Sequence, residues 1–164
     1  MNIFLKISLL TAFVGLLFSA QAQTKLDTNN GFMELTFDDT VDTWRKSISY
    51  VGFLSGGDTL YRYEGKCCRS GFGFEYPDIL LTFGSKKELK TINLTTKPFK
   101  KNPDAPELTL LLTNLMAQFG YPEEQDEYSD GEIYWMGKEV MMSLNQDEDG
   151  EMDKCSINIR RIRQ

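Results

Sequence analysis

Apolar positions recur along this chain with two periods, and the switches between them mark out its elements. Met33, Leu35 and Phe37 alternate with Glu34 and Thr36, which predicts a short strand. Asp38 and Asp39 then offer an N-cap. Val41, Trp44, Ile48 and Val51 follow at helical spacing and predict an amphipathic helix over Thr40–Tyr50, with Trp44 as its core anchor. Leu60–Glu64 reads as a strand with Tyr61 and Tyr63 on one face. Asp78–Phe83 and Leu89–Leu94 read as a hairpin closed by Gly84-Ser85-Lys86-Lys87. Gly65–Gly73 reads as irregular, and Lys97–Asp104 as a basic loop.

The strongest periodic signal lies in the second half. Leu108, Leu111, Leu112, Leu115, Met116 and Phe119 form one apolar helical face. Pro106 suits the first turn, Gly120 suits the C′ position, and Pro122 forbids continuation, so a helix is predicted over Pro106–Phe119. An acidic loop over Glu123–Glu132 follows. Strands are then predicted at Ile133–Met136, Val140–Leu144 and Cys155–Ile162, with an acidic turn over Asn145–Asp153 between the last two.

Each half therefore reads helix, strand, strand, strand, and each first strand carries an aromatic pair, Tyr61/Tyr63 and Tyr134/Trp135. Three strands and one helix bury too little surface alone, whereas two such units side by side share a larger core. The expected fold class is α+β: two α-β-β-β units forming an antiparallel sheet with two helices on one face. The expected divisions are a signal peptide over residues 1–22, a flexible N-terminus over 23–30, and one α+β domain over 31–164.

On the Thr40–Tyr50 helix, the Phe119-Gly120-Tyr121-Pro122 helix end and the Tyr134-Trp135 and Val140–Leu144 strands, the chain resembles the β-lactamase-inhibitory-protein-like fold. It is also similar to small periplasmic domains of the SmpA/OmlA type. The resemblance spans about Gly31–Ile162 and implies binding rather than catalysis. The lipid-attachment cysteine of the SmpA/OmlA type is missing, which argues against a role in outer-membrane assembly.

The first residues change the picture of compartment. Lys6 supplies a positive start, an apolar run extends from Ile7 to Phe18, and Ser19-Ala20-Gln21-Ala22 ends in a small-x-small site. This is a secretory signal peptide cleaved after Ala22, because the run is too short to span ~30 Å of hydrocarbon comfortably. The expected product, residues 23–164, is an exported soluble protein, periplasmic or extracellular, with no stable membrane insertion. The chain carries 24 acidic and 18 basic residues, a net charge of −6. Acidic surfaces repel phosphates, so no nucleic-acid partner is expected, while a basic protein partner or divalent cations are compatible.

No histidine is present, which removes Ser-His and Cys-His nucleophilic systems and histidine zinc sites. No Gly-rich phosphate loop, nucleophile elbow or HExxH helix occurs, and no cofactor is expected. The three cysteines are Cys67, Cys68 and Cys155. In an oxidising compartment one bridge from Cys155 to Cys67 or Cys68 is expected, closing a loop of nearly 90 residues and adding ~4 kcal/mol on a chain-entropy model. Adjacent strand residues face opposite ways, so only one of the pair should face Cys155. The other thiol would be left over, with Lys66 and Arg69 as its nearest cations in sequence.

Asn145, Asp147, Asp149, Glu151 and Asp153 place oxygen ligands at alternate positions around Gly150, like the opening of a calcium-binding loop. Ser156 stands where a bidentate glutamate belongs and the flanks read as strands, so a plain acidic hairpin turn competes with the calcium reading. Tyr128, in the acidic run, and Tyr134 and Trp135 are the candidate binding residues. Asn93-Leu94-Thr95 is a glycosylation sequon, relevant only in a eukaryotic secretory pathway. The function expected from these features is an exported, non-enzymatic binding protein, inhibitor-like in character. The alternatives are a small hydrolase using acidic residues alone and a structural envelope component.

Overall fold

Helix Pro106–Phe119 is present with the predicted bounds. Leu111, Leu115 and Phe119 are buried on one side of it, and Leu108, Leu112 and Met116 pack against the same core. Gly120 ends it at φ 82, and its N–H returns to the Met116 carbonyl at 2.8 Å. A left-handed residue at this place costs glycine nothing because it has no Cβ.

The computed structural model describes residues 25–100, 106–122, 132–149 and 152–162. In chain order the elements are α1 (25–29), β1 (Gly31–Phe32), β2 (Leu35–Thr36), α2 (Val41–Trp44), β3 (Ile48–Phe53), β4 (Thr59–Tyr63), β5 (Ser70–Gly71) and β6 (Phe74–Glu75). They continue as β7 (Asp78–Phe83), β8 (Leu89–Thr95), β9 (Phe99–Lys100), α3 (Pro106–Phe119), β10 (Ile133–Met136), β11 (Val140–Asp149) and β12 (Met152–Arg161). The class is α+β. The main sheet has 8 strands in the order β10-β11-β12-β8-β7-β4-β3, with β9 pairing β12 off that path. Every pairing in it is antiparallel.

One row of paired residues crosses this sheet: Trp135, Met142, Ile159, Ile92, Leu81, Tyr61 and Tyr50. Paired residues share a face, so this row defines the inner face of the sheet. From Trp135 to Leu81 it is buried, Tyr61 is half-buried, and Tyr50 is exposed. The neighbouring row, Leu144, Ile157, Leu94 and Ile79, is buried throughout. The opposite face carries polar residues such as Asn158, Asn93 and Arg62. This is the period-2 pattern of a sheet covered on one side.

Four expectations need correction. The Thr40–Tyr50 helix is only Val41–Trp44, N-capped by Thr40, and Ile48–Phe53 is strand β3. Ile48 satisfies both periods, four positions after Trp44 in a helix and opposite Tyr63 in a ladder. The run Tyr50-Val51-Gly52-Phe53 decides it, since aromatic and β-branched residues favour strands, glycine weakens helices, and β4 supplies a ladder. Asp39 turns back instead of capping, with Oδ2 accepting from Thr36 N at 3.0 Å and Thr36 Oγ1 at 3.1 Å.

Met33–Phe37 is not one strand but the hairpin β1–β2, with Met33 at φ 55 in its turn. Residues 25–29, within the segment expected to be flexible, are helical, and Leu26 is buried in the core. Finally, Asn145–Asp153 is not a wide turn, because β11 runs on to Asp149 and β12 begins at Met152. The acidic loop expected at Glu123–Glu132 lies outside the described residues except for Glu132, as do residues 1–24.

Candidate functional site

The inner face is covered over one half and open over the other. On the covered half, Trp135 is only 3% exposed and donates from Nε1 to the Gly120 carbonyl at 2.9 Å, which locks β10 to the end of α3. Asn114 Nδ2 donates to the Phe72 carbonyl at 2.8 Å, tying α3 to the β5–β6 hairpin, and Phe72 meets Phe119 edge-on. Trp135, expected as a binding residue, is therefore part of the core, because its one polar atom and its ring are both satisfied inside. Tyr134, its neighbour, pairs with Ser143 on the opposite face and is half-buried. Tyr128 lies outside the described residues.

On the open half the same row ends in an aromatic ledge. Phe83, Tyr61, Tyr50 and Phe53 touch in sequence, with ring centroids 5.6, 6.0 and 5.5 Å apart and the rings near edge-on. Tyr50 is 55% and Phe53 is 76% exposed. Residues three apart on a regular strand face opposite sides, but the pairing shifts between Tyr50 and Gly52, leaving Val51 as an extra residue. That bulge restores Phe53 to the face of Tyr50. Val51 and Leu54 are exposed beside them. Strand β3 ends the sheet order and has a described neighbour, β4, on one side only.

This combination can do two things chemically. An open strand edge offers backbone N–H and C=O groups to a second extended chain, and the ledge offers apolar contact for alternate side chains of that chain. Sequence reasoning missed the ledge by assigning Tyr50 and Val51 to a helix. The signal that could have found it is the run Ile48–Phe53 itself, which holds four aromatic or β-branched residues around one glycine.

The adjacent cysteines Cys67 and Cys68 sit elsewhere, in the loop after β4, and Cys155 lies on β12. None of the three is in a disulfide, so the bridge expected between Cys155 and Cys67 or Cys68 is not formed in this structure. Cys155 is buried on β12, paired with Gln146, and its N–H donates to Thr96 Oγ1 at 2.9 Å. Cys67 Sγ instead lies 2.7 Å from Cys68 Sγ and 2.8 Å from Tyr63 Oη. Cys68 has φ 63, a left-handed turn that brings both sulfurs to one side. Burial and the hydrogen bond to Cys67 push the Cys68 thiol up, and burial with the same sulfur pushes the Tyr63 hydroxyl up.

The proposed calcium ligands are distributed along a ladder. Asn145 pairs with Ser156, Asp147 with Lys154, Asp149 with Met152, and Asp153 with Glu148. Asn145, Asp147 and Asp149 stand at every second position of β11, while Asp153, opposite Glu148, falls in the other row, so the set is spread along the ladder and not gathered at one point. Asp153 is buried, and its Oδ2 accepts from Gln146 Nε2 at 2.7 Å, while Oδ1 finds no partner among the described residues. Glu151 lies outside the described residues. No cluster of three or more acidic or cysteine ligands occurs among those described.

A cavity of about 340 Å³ lies between α1, β1 and the end of α3, lined by Leu26, Phe32, Phe72, Phe119, Met142 and Ile159 among others. Its lining contains no titratable side chain, so it offers no acid, base or nucleophile. Comparison with known proteins finds no matching family model, and no curated protein or solved structure matches the chain.

Proposed function

We propose that this chain is an exported, non-enzymatic binding protein that takes an extended polypeptide segment of its partner along the β3 edge. The observation that carries this reading is the exposed Tyr50–Phe53 pair, edge-on to Tyr61 beside a strand edge that has no neighbour among the described residues. Aromatic residues dominate binding energy at protein interfaces because they bury large rigid surfaces at low entropic cost. The partner segment is apolar at alternate positions, to seat on the ledge, and basic overall, to match a net charge of −6. Occlusion of a partner's strand in this way would make the protein inhibitor-like.

The reading includes export, which rests on the signal pattern of residues 1–22. It also includes two α-β-β-β units side by side, with α2 and α3 on the inner face. The contiguous blocks β4-β7-β8 and β10-β11-β12, joined through β8 and β12, support that arrangement.

The test is a peptide array of basic ten-residue segments with alternating apolar positions, probed with residues 23–164. Binding is expected to a subset, and to fall at least tenfold for Phe53→Asp and for peptides N-methylated along one edge. An array with no binder, or binders indifferent to both changes, would remove this reading.

A further inference from the structure

We infer that Cys67 and Cys68 form a redox-active vicinal dithiol, which closes to a disulfide ring by exchange with a small-molecule disulfide. Three observations carry it. The sulfurs are 2.7 Å apart, closer than two unbonded sulfurs usually stand. The left-handed φ 63 of Cys68 puts both on one side of the chain, where an extended pair would point them apart. The loop that holds them is built for that shape. Arg69 reaches back to the carbonyls of Tyr63 and Pro77, each at 2.6 Å, and to that of Gly65 at 3.1 Å.

The two thiols are not equivalent. Cys67 is half-buried and reachable, and its sulfur contacts both Tyr63 Oη and Cys68 Sγ. Cys68 is buried. Burial and the Cys67 sulfur raise both Tyr63 and Cys68, which favours the protonated form of these two groups. Cys67 is thus the attacking sulfur and Cys68 the resolving one.

The step balances without a further reagent. The Cys67 thiolate attacks one sulfur of the external disulfide and releases the first thiol. Cys68 then gives up its proton and attacks Cys67 Sγ, releasing the second. Two protein thiols are oxidised, one external disulfide is reduced to two thiols, and the two protons leave with them. The ring is readily reopened. Adjacent Cα atoms stand about 3.8 Å apart, below the usual disulfide range of about 4.4–6.8 Å, and such strain makes a disulfide easier to reduce.

The experiment uses the folded full chain, reduced, desalted and exposed to oxidised glutathione, then digested with trypsin without reduction. Cleavage after Lys66 and Arg69 frees the peptide Cys67-Cys68-Arg69. It is expected to be lighter by two hydrogens and unlinked to Cys155, and to recover them in excess reduced glutathione. A Cys155 cross-link, a glutathione on each cysteine, or two remaining free thiols would overturn the proposal. Cys68→Ser is expected to trap glutathione on Cys67, while Cys67→Ser leaves Cys68 roughly tenfold slower to react in the folded state. Equal reactivity of the two single variants would overturn the assigned order. Phenylarsine oxide, which needs two neighbouring thiols, is expected to bind the reduced wild type once per chain and neither variant. Binding retained by either variant would place the dithiol elsewhere.

Discussion

Tyr50 and Phe53 stand three positions apart on one strand, yet their rings meet on one face of the sheet, 5.5 Å between centroids. The extra residue Val51 produces that contact by shifting the pairing between Tyr50 and Gly52. The strand gains an apolar surface that its own core does not use.

That surface predicts a separation of stability from surface hydrophobicity. Phe53→Asp should change the unfolding free energy by less than about 0.5 kcal/mol, because the ring is largely solvated. Fluorescence of an apolar dye such as ANS should nevertheless fall clearly. Unchanged dye binding, with unfolding followed by urea titration, would show that the ledge is not the main exposed apolar surface.

Asp27 fastens the N-terminal turn to a turn more than a hundred positions later. Its Oδ2 accepts from Lys138 N at 2.8 Å, and its Oδ1 from Glu139 N at 2.9 Å and Val140 N at 3.1 Å. Burial acts to raise this carboxyl, but the three backbone N–H groups and Lys138 outweigh it and hold it below its ordinary 3.8. A depressed folded pKa stabilises the protein above the ordinary value, and that contribution is lost as pH falls through the folded one. Asp27→Ala should cost about 1–2 kcal/mol at pH 7, with the deficit shrinking well below pH 3.8. Urea titrations of both proteins at the two pH values check the sign.

Trp135 joins sheet and helix through one hydrogen bond. Trp135→Phe removes the donor to the Gly120 carbonyl and leaves a void where the larger ring was. The expected loss is about 1–3 kcal/mol, seen as a lower melting temperature. A loss below ~0.5 kcal/mol would mean that water replaces the indole N–H without penalty.

Gly65 makes room for the dithiol loop. A Cβ there would collide with the Tyr63 hydroxyl, the group that contacts Cys67. Gly65→Ala should destabilise by about 1–3 kcal/mol through overpacking. It should also change the rate at which Cys67 is alkylated, since Tyr63 must move. An alkylation rate equal to wild type would show that Tyr63 does not control that thiol.

The acidic hairpin predicts that calcium and sodium chloride, at equal ionic strength, raise the melting temperature alike. Cross-strand pairing spreads its carboxylates over a ladder, and Asp153 Oδ2 is held by Gln146. Salt then acts by screening their repulsion. A calcium-specific rise in calorimetry, abolished by Asp153→Asn, would contradict this.

The sequence by itself determined the elements whose signal is local. Helix Pro106–Phe119 was legible because an unbroken 3.6-residue period ends at a glycine and a proline. Strand β7 was legible because Ile79, Leu81 and Phe83 alternate, and β8 and β10 were legible as short apolar-rich runs bounded by turn residues. The α+β class follows from these. Only the tertiary structure decided the rest, for identifiable reasons. Ile48 fits both a helix and a strand, and the choice rests on β4, which lies beyond it in sequence. Asp27 reads as one more polar residue until a turn far along the chain supplies three N–H donors. Cys67 and Cys68 looked divergent because extended neighbours diverge, and one left-handed dihedral angle, held by the loop that Arg69 ties, reversed that. Trp135 and Tyr50 are both aromatic residues on strands, and they occupy one row of the sheet. One lies under a helix and the other at an open edge, so burial separates core from candidate interface, and burial belongs to the assembled sheet and not to either strand alone.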